Sequence, residues 1–149
     1  MKQETITTPS DSASLFRAAL PREQKEERVF VLPLDTNGKM LAKPILVSVG
    51  NKSGTATIDA GVIFREALKV GAEEIIVAHN HPSGDLTPSK ADVAATKELK
   101  DLGVRLDVKL IDHIILGSSE IDFISLADEG ILSSTTDVLV ARDKSSSPI

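Results

Sequence analysis

Hydrophobic and polar residues along the chain are grouped in a way that first predicts a pair of antiparallel strands. Residues 29–34 and 40–49 are rich in β-branched and aliphatic side chains, and the dipeptide Asn37-Gly38 lies between them. Asn-Gly between two such runs is the strongest short-range signal for a hairpin with a type I′ turn. Pro33 and Pro44 lack the N–H that an interior ladder position would use, so each should lie at a sheet edge or a bulge.

Three further stretches carry the spacing and the end signals of helices. They are a short helix capped by Ser10 or Asp11 that runs to Leu20, a helix capped by Asp59 that ends at Gly71, and a helix over residues 90–102 that ends at Gly103. Apolar runs predict further strands at 75–78, 104–110, 111–117 and 121–124. Strands that alternate with helices predict an α/β (α+β) sandwich, in which helices flank a mixed central sheet.

The sequence divides into one folded region and two ends. Residues 1–21 read as a polar tail with a short helix, 22–132 carry the alternating pattern, and 133–149 are rich in Ser, Thr and charged residues. We therefore expect one domain over 22–132 and a loose C-terminal tail. A chain of 149 residues can form a substantial core, since folding at this size buries roughly 68–70% of the unfolded chain's surface.

Composition excludes several classes of protein. The chain has no Cys, so thiolate zinc sites, cysteine nucleophiles and cysteine-ligated base deaminase sites are ruled out. Its aromatic residues are four Phe, and 22 acidic against 17 basic residues give a net charge of −5, so we do not expect a nucleic-acid partner. No apolar run is long enough to span a bilayer or to serve as a secretory signal, which predicts a cytoplasmic protein without membrane association.

The segment after the strand at 75–78 is the best candidate for metal binding. His79 and His81 are two positions apart, so in a strand their side chains share one side, with Cα atoms about 6.6–7 Å apart. Two imidazole nitrogens on one zinc ion lie roughly 3.4 Å apart, a separation that converging rings can reach. A catalytic zinc ion needs a third protein ligand, for which Asp85 and Asp92 are the nearest candidates. Asp92 is favoured, because the first turn of a helix holds a carboxylate more firmly than a loop does.

Each of these residues also has a purely structural interpretation. Ser89 and Asp92 fit the Ser-x-x-acid capping box at the start of the predicted helix. His113 is a rival third ligand, but a buried histidine with satisfied hydrogen bonds, or one that positions a ligand, fits the same pattern. Asp112 and His113 cannot both face a metal, since neighbouring strand residues point to opposite faces. Asn80 points away from its two histidine neighbours and is expected to fix a loop.

Together these positions form a signature with a known counterpart. His79, His81, Ser89 and Asp92 match His-x-His, seven residues, Ser, two residues and Asp without a gap, and the chain thereby resembles the JAMM (JAB/MPN) metalloprotease family. The stretch HNHPSGDLTPSKAD, with IDHIILG after it, is similar to the RadC-type JAB domain, and the similarity extends over residues 27–132. It implies a JAB/MPN-like (cytidine-deaminase-like) fold. Only 26 residues precede Glu27, so we do not expect the helix-hairpin-helix segment that usually precedes this domain, which weakens a link to DNA repair.

The resemblance also implies the ligands and the base of a zinc enzyme. Its metal ligands for Zn²⁺ fall on His79, His81 and Asp92, and a Glu on the first strand hydrogen-bonds the water at the open position. The RadC branch carries this Glu in a Glu-x-Phe-x-Val-Leu-x-Leu-Asp pattern, which this sequence matches except for Val in the Phe position. The general base is therefore expected at Glu27, and Glu26 is the rival if the register slips by one residue.

The reaction that the resemblance implies is hydrolysis of an amide bond. Glu27 would take a proton from the attacking water and pass it to the leaving amine, a role worth typically about 10²–10⁴-fold. Ser89 would donate to the oxyanion of the tetrahedral intermediate. The sequence thus predicts a zinc-dependent metallopeptidase or isopeptidase that acts on a peptide or a protein conjugate. An accessory factor in DNA repair and a non-catalytic interaction module are the alternatives.

Overall fold

The computed structural model describes residues 5–50, 56–119 and 121–132, and the predicted tail at 133–149 lies outside them. Within these ranges the chain forms the helices α1 (Pro9–Ala19), α2 (Ala60–Lys69) and α3 (Lys90–Leu106). The strands are β1 (Arg28–Leu34), β2 (Ile45–Val49), β3 (Glu74–Asn80), β4 (Lys109–Leu116) and β5 (Phe123–Ser125). Among the residues so described, no helix is both long and apolar enough to cross a membrane.

The strands form one mixed sheet in the order β2-β1-β3-β4-β5. β1 runs antiparallel to both β2 and β3, β3 runs parallel to β4, and β4 runs antiparallel to β5. A parallel pair needs a crossover connection, which α3 supplies between β3 and β4. The mixed sheet with its flanking helices confirms the predicted α/β sandwich. The same crossover places the start of α3 near the carboxyl end of β3, where open α/β sheets commonly bind ligands.

Helices cover the sheet on both faces, and the alternation of side chains along the strands separates two cores. On β1, Val29 and Val31 belong to the core under α2 and α3. Phe30 and Leu32 belong to the core on the opposite face, which is covered by α1. The same alternation on β3 places His79 on the side of α2 and α3.

A bulge in β4 decides which face the side chain of His113 takes. β3 and β4 pair Ile75 with Leu110, but the next residue of β3 pairs with Asp112. Ile111 is therefore an extra residue in β4, and the alternation of faces reverses there. As a result His113 lies on the α3 side of the sheet, like Leu110 before the bulge.

The third helix does not end at Gly103, as the sequence predicts, but continues to Leu106. A Cβ atom at position 103 would lie 2.4 Å from the backbone oxygen of Val108, so glycine is required by the close approach of the chain that enters β4. The helix ends instead at Asp107, which adopts a left-handed conformation with φ of 58°. The predicted strand at 104–110 is therefore wrong, since its first residues are helical.

The other elements follow the prediction with shifted ends. Three strand predictions correspond to β3, β4 and β5, namely 75–78, 111–117 and 121–124. α2 begins after its cap Asp59 and ends before Gly71, as expected. The cap of α1 is Thr8 rather than Ser10 or Asp11. Asp11 is the third helical residue, and its carboxylate accepts a hydrogen bond from the Thr8 N–H.

The hairpin between β1 and β2 forms, but its turn is not of type I′. A type I′ turn needs positive φ at both central residues, whereas in this turn only Gly38 has a positive φ, of 80°. The Gly38 N–H donates to the carbonyl of Asp35, so a turn over residues 35–38 ends in a left-handed glycine. This geometry is that of a three-residue hairpin loop, in which a type I turn precedes the glycine.

Both prolines lie where a ladder hydrogen bond is not required. Regular pairing between β1 and β2 stops at Val31 and Ile45, and beyond this point the carbonyl of Pro33 accepts from Leu41. The nitrogen of Pro33 faces the same interrupted side, so its missing N–H costs no bond to β3. Pro44 immediately precedes the edge strand β2.

Candidate metal centre

The carboxyl end of β3 brings the two histidines together. His79 is the penultimate residue of the strand and His81 is two positions further, so both side chains point to the α3 side. Their Nε2 atoms lie 2.9 Å apart, slightly closer than the roughly 3.4 Å expected for two nitrogens on one zinc ion. His79 is 1% exposed, whereas His81 lines a cleft. The pair thus has one buried member and one that the cleft can reach.

Asp92 reaches the same point from the first turn of α3. Ser89 Oγ accepts from the Asp92 N–H at 2.9 Å, and the Asp92 carboxylate accepts from the Ser89 N–H at 2.9 Å. This capping box orients the carboxylate toward β3. Asp92 Oδ1 lies 3.3 Å from His79 Nε2, and Oδ2 lies 3.4 Å from His81 Nε2. Helix capping and contact with both histidines therefore coexist in one side chain.

The charges at this point favour a bound cation. Burial opposes ionisation of Asp92, but its contacts with the imidazoles of His79 and His81 outweigh burial and hold the pKa of this carboxyl far below its ordinary value. The hydrogen bond with Asp92 raises the pKa of His81, so this imidazole retains a proton more readily. One possible ligand atom from each of the three residues lies within 4.8 Å of the others, and the group can hold a metal ion.

The loop after β3 fixes the ring of His81. Its Nδ1 lies 2.7 Å from the backbone oxygen of Asp85. Because a carbonyl oxygen only accepts, Nδ1 carries a proton and Nε2 is directed to the site. The Asp85 carboxylate accepts from the backbone N–H of Thr87. Asp85, the rival third ligand in the sequence, thus orients His81 through its main chain and turns its side chain to its own loop.

Behind His79 lies a buried polar pair formed by Thr96 on α3 and His113 on β4. His113 is fully buried, and its Nε2 lies 2.8 Å from Nδ1 of His79. Its Nδ1 lies 2.6 Å from Thr96 Oγ1. Burial lowers the pKa of His113 well below its ordinary value. His113 therefore contacts one of the candidate ligands and does not join their group as a third ligand.

Glu27 lines a cleft that is also lined by His81 and Asp92, two residues of the candidate metal centre. The cleft has a volume of about 720 Å³ and is open to solvent. One carboxylate oxygen of Glu27 accepts from the Ala56 N–H at 3.1 Å. The rival Glu26 has its carboxylate 3.5 Å from the Arg28 guanidinium instead. The register of β1 thus brings Glu27 to the cleft, as the resemblance implies.

Asn80 ties the segment before β1 to the end of β3. Its side-chain oxygen accepts from the Arg28 N–H at 2.7 Å. Its amide group donates to the side chain of Gln24 and to the carbonyl of Glu26. The prediction that Asn80 fixes a loop is therefore confirmed. Because these contacts lie on both sides of Glu27, the loop in question is the one that carries the expected base.

Comparison with known proteins decides the family. Residues 6–131 match the family described as the RadC-like JAB domain. The chain belongs to this family. The match includes every helix and strand of the RadC-like fold described above. It confirms the resemblance that the His-x-His signature and its surroundings indicate.

Relatives of this RadC-like JAB domain include proteins named UPF0758 from several organisms. One from Clostridium perfringens strain 13 is 39% identical over 132 residues, which cover 89% of this chain and 56% of the relative. One from Carboxydothermus hydrogenoformans is 45% identical over 121 residues, or 81% of this chain and 51% of the relative. One from Methanosarcina mazei is 35% identical over 127 residues, or 85% and 53%. The chain spans about half the length of the curated relatives it matches.

The hydroxyl of Thr96 is a part of this RadC-like centre that was not predicted from the sequence. Thr96 is fully buried and lies four residues after Asp92, so both side chains share one face of α3. A polar residue at this spacing from a candidate ligand is the signal that points to it. No local signal indicates to which face of the sheet the side chain of His113 points, since this depends on the bulge in β4.

Proposed function

We propose that this RadC-like JAB domain is a zinc-dependent hydrolase that cleaves an amide bond in a peptide or a protein conjugate. The observation that carries the proposal is the convergence of His79, His81 and Asp92 at a cleft that Glu27 also lines. Three protein ligands leave one coordination position open, as in catalytic zinc sites. A carboxylate beside such a position is suited to act as the general base of metal-assisted hydrolysis.

The set of donor atoms suits zinc. Two imidazole nitrogens and one carboxylate oxygen form a typical catalytic zinc set, whereas Mg²⁺ and Ca²⁺ prefer oxygen ligands throughout. When bound, a zinc ion polarises the substrate carbonyl and lowers the pKa of water to about 7. Contacts with Ser89, Asp85 and His113 already order the three ligands, so little further conformational entropy is lost on binding.

Glu27 moves the proton in the proposed reaction. Its carboxylate accepts a proton from the attacking water and then donates it to the leaving amine nitrogen. The Ala56 N–H holds Oε1 at 3.1 Å, and the second carboxylate oxygen serves the water. Asn80 holds the flanking backbone, so Glu27 is held both by the segment that precedes α2, through Ala56, and by the end of β3.

Ser89 stabilises the charge that develops on the substrate. The residue is exposed and lines the cleft, and its Oγ accepts from the Asp92 N–H at 2.9 Å. A hydroxyl that accepts one hydrogen bond still has its own proton to donate. Directed to the substrate carbonyl oxygen, this proton stabilises the oxyanion of the tetrahedral intermediate.

Replacement of Glu27 tests the proposal. Glu27→Gln keeps the size of the side chain and its hydrogen bond from Ala56 but removes the base. Zinc should therefore stay bound, while turnover falls by about 10²–10⁴-fold. The measurement is hydrolysis of fluorogenic peptides and of isopeptide-linked protein conjugates by zinc-loaded protein, with zinc content determined by atomic spectroscopy.

The neighbouring carboxylate provides a matched control. Glu26→Gln removes an equal charge one residue away, at a side chain that pairs with Arg28, and should retain full turnover. Full turnover in Glu27→Gln contradicts the assignment of the base. A wild-type protein that takes up no zinc, or a zinc-loaded one that cleaves no amide substrate, favours a non-catalytic interaction module instead.

A further inference from the structure

We propose that Thr96 and His113 are positioning residues that fix the tautomer of His79, so that its proton stays on Nδ1 and its Nε2 lone pair faces the candidate metal centre. The inference rests on the metal site of the proposed function and not on the proposed reaction. A histidine binds a metal through an unprotonated nitrogen, and the hydrogen bond of its other nitrogen determines which one is unprotonated. The contacts from α3 to β3 fix this choice in two steps.

The first step is the direction of the Thr96 hydroxyl. Its Oγ1 lies 2.7 Å from the backbone oxygen of Asp92, which can only accept, so the hydroxyl donates its single proton there. The opposite orientation would set two lone pairs against each other. Toward Nδ1 of His113, 2.6 Å away, Thr96 is therefore an acceptor. His113 consequently carries a proton on Nδ1.

The second step passes from His113 to His79. His113 is fully buried, and its ring nitrogens contact a hydroxyl and an imidazole, neither of which compensates a positive charge. A cation is costly in such a place, so His113 is neutral and its Nε2 is an acceptor. Nδ1 of His79, 2.8 Å from that nitrogen, must then donate. The Nε2 of His79 keeps a lone pair, which faces Asp92.

A different contact gives His81 the same tautomer. Its Nδ1 donates to the backbone carbonyl of Asp85, which also leaves Nε2 directed to the site. Both Nε2 atoms thus converge beside the Asp92 carboxylate, 2.9 Å from each other. A shared metal ion fits between them, and without it a proton on Nε2 of His81 serves as the donor to His79. The pair formed by Thr96 and His113 therefore fixes the tautomer of the buried His79, as the Asp85 carbonyl fixes that of His81 in the cleft.

A histidine suits this position behind His79 better than an acid. Metal-bound histidines often donate to a carboxylate, but a carboxylate at position 113 would place a second buried negative charge close to Asp92. A neutral imidazole accepts the same hydrogen bond without that charge. The bulge at Ile111 turns position 113 to the α3 side, where both Thr96 and His79 are within reach.

The tautomers can be observed directly in the chelator-treated protein of 149 residues. Long-range ¹H–¹⁵N NMR spectra distinguish imidazoles protonated at Nδ1 from those protonated at Nε2, and the chain has only three histidines to assign. We expect both His79 and His113 of the wild-type protein to carry the proton on Nδ1. A wild-type His79 protonated on Nε2 overturns the proposal.

Removal of the Thr96 hydroxyl interrupts the pair with little change in size. In Thr96→Val, Nδ1 of His113 loses its acceptor, so His79 should populate the Nε2-protonated form. Zinc affinity, measured by competition with a chromophoric chelator, should fall by about 10–100-fold, the range seen when an outer partner of a ligand is lost. Thr96→Ser keeps the hydroxyl and should restore both the tautomer and the affinity.

Ser125→Ala controls for a purely structural effect. The Ser125 hydroxyl is also buried and donates to Asp112 at 2.6 Å, away from the candidate ligands. Its loss should lower Tm but leave the tautomer of His79 and the zinc affinity unchanged. If Thr96→Val also lowers Tm but leaves the tautomer of His79 and the zinc affinity unchanged, the proposal fails. Failure of the proposed hydrolysis is a separate result, because neither readout needs turnover.

Discussion

Two helices of this chain begin with the same pair of hydrogen bonds, but the two capping carboxylates differ in their further partners. At the start of α1, the Thr8 hydroxyl accepts from the Asp11 N–H, and the Asp11 carboxylate accepts from the Thr8 N–H. At the start of α3, Ser89 and Asp92 form the same capping box. Each box satisfies two backbone donors that a helix start would otherwise leave without an intrahelical partner.

The surroundings separate the two carboxylates. The further partners of Asp11 are the N–H and the hydroxyl of Thr7, which lower its pKa. Asp92 is 9% exposed, and its further partners are the imidazoles of His79 and His81. A capping carboxylate thus becomes a candidate metal ligand when a neighbouring strand presents nitrogen donors, and the cap itself is retained. The cap holds the carboxylate in place before any metal arrives.

The largest contrast between the two boxes should be in zinc affinity. Asp92→Ala and Asp11→Ala each lose a capping box, but only Asp92→Ala loses a proposed ligand. Structural zinc sites bind with about 10–16 kcal/mol, which over four ligands corresponds to a loss of about 10²–10³-fold per ligand removed. Competition with a chelator measures this loss. Equal zinc affinity in the two variants would remove Asp92 from the ligand set.

Much of the candidate site can be predicted because it is local in sequence. His79, His81 and Asp92 lie in one short segment, where strand alternation and helix capping determine their directions. The contact between His79 and His113 joins two strands, and it depends on a bulge in β4. A bulge results from packing between strands, so the local pattern of residues does not reveal it. For this reason the contact between His113 and His79 is seen only in the structure, although the sequence already offers His113 as a residue that could position a ligand.

The fold likewise has features that follow from the local sequence and features that depend on contacts with other parts of the chain. Alternation and helical spacing predict the sheet and its flanking helices, apart from the strand expected at 104–110. The turn after β1 differs from the prediction because the Asp35 carboxylate accepts from the N–H groups of Asn37 and Lys39, which stabilises another turn geometry. Gly103 looks like a helix terminator, but it is required by the backbone of Val108. Neither the hydrogen bonds of Asp35 nor the approach of Val108 can be inferred from the presence of Gly38 or Gly103 in the sequence.

The cap hydroxyls should give a smaller contrast than the carboxylates. Ser89→Ala and Thr8→Ala each remove an N-cap acceptor and should each lower the free energy of unfolding by about 1 kcal/mol. Only Ser89→Ala should also lower kcat, by about 10–10²-fold, which is less than for a lone oxyanion donor because the proposed metal polarises the same carbonyl. Chemical denaturation and the hydrolysis assay measure the two effects. Identical kcat values would restrict Ser89 to capping.

The smallest contrast is expected in the pH dependence of the metal-free protein. The hydrogen bond to Asp92 raises the pKa of His81 above its ordinary value of 6.5 in the folded chain. The folded state therefore binds this proton more tightly than the unfolded state does. The resulting stabilisation is complete below about pH 6.5 and is lost as the pH rises through the folded pKa. The free energy of unfolding should fall by about 0.5–1 kcal/mol over this interval.

The two boxes again provide the matched variants for this measurement. Asp92→Asn keeps a hydrogen-bond acceptor for the cap but removes the charge that pairs with His81, so urea titrations at a series of pH values should lose this fall. Asp11→Asn changes a carboxylate whose contacts are with Thr7 and Thr8, and the fall should persist. If the free energy of unfolding of Asp92→Asn falls equally with rising pH, the pH dependence comes from another group. Asp92 would then have no larger electrostatic effect on stability than Asp11.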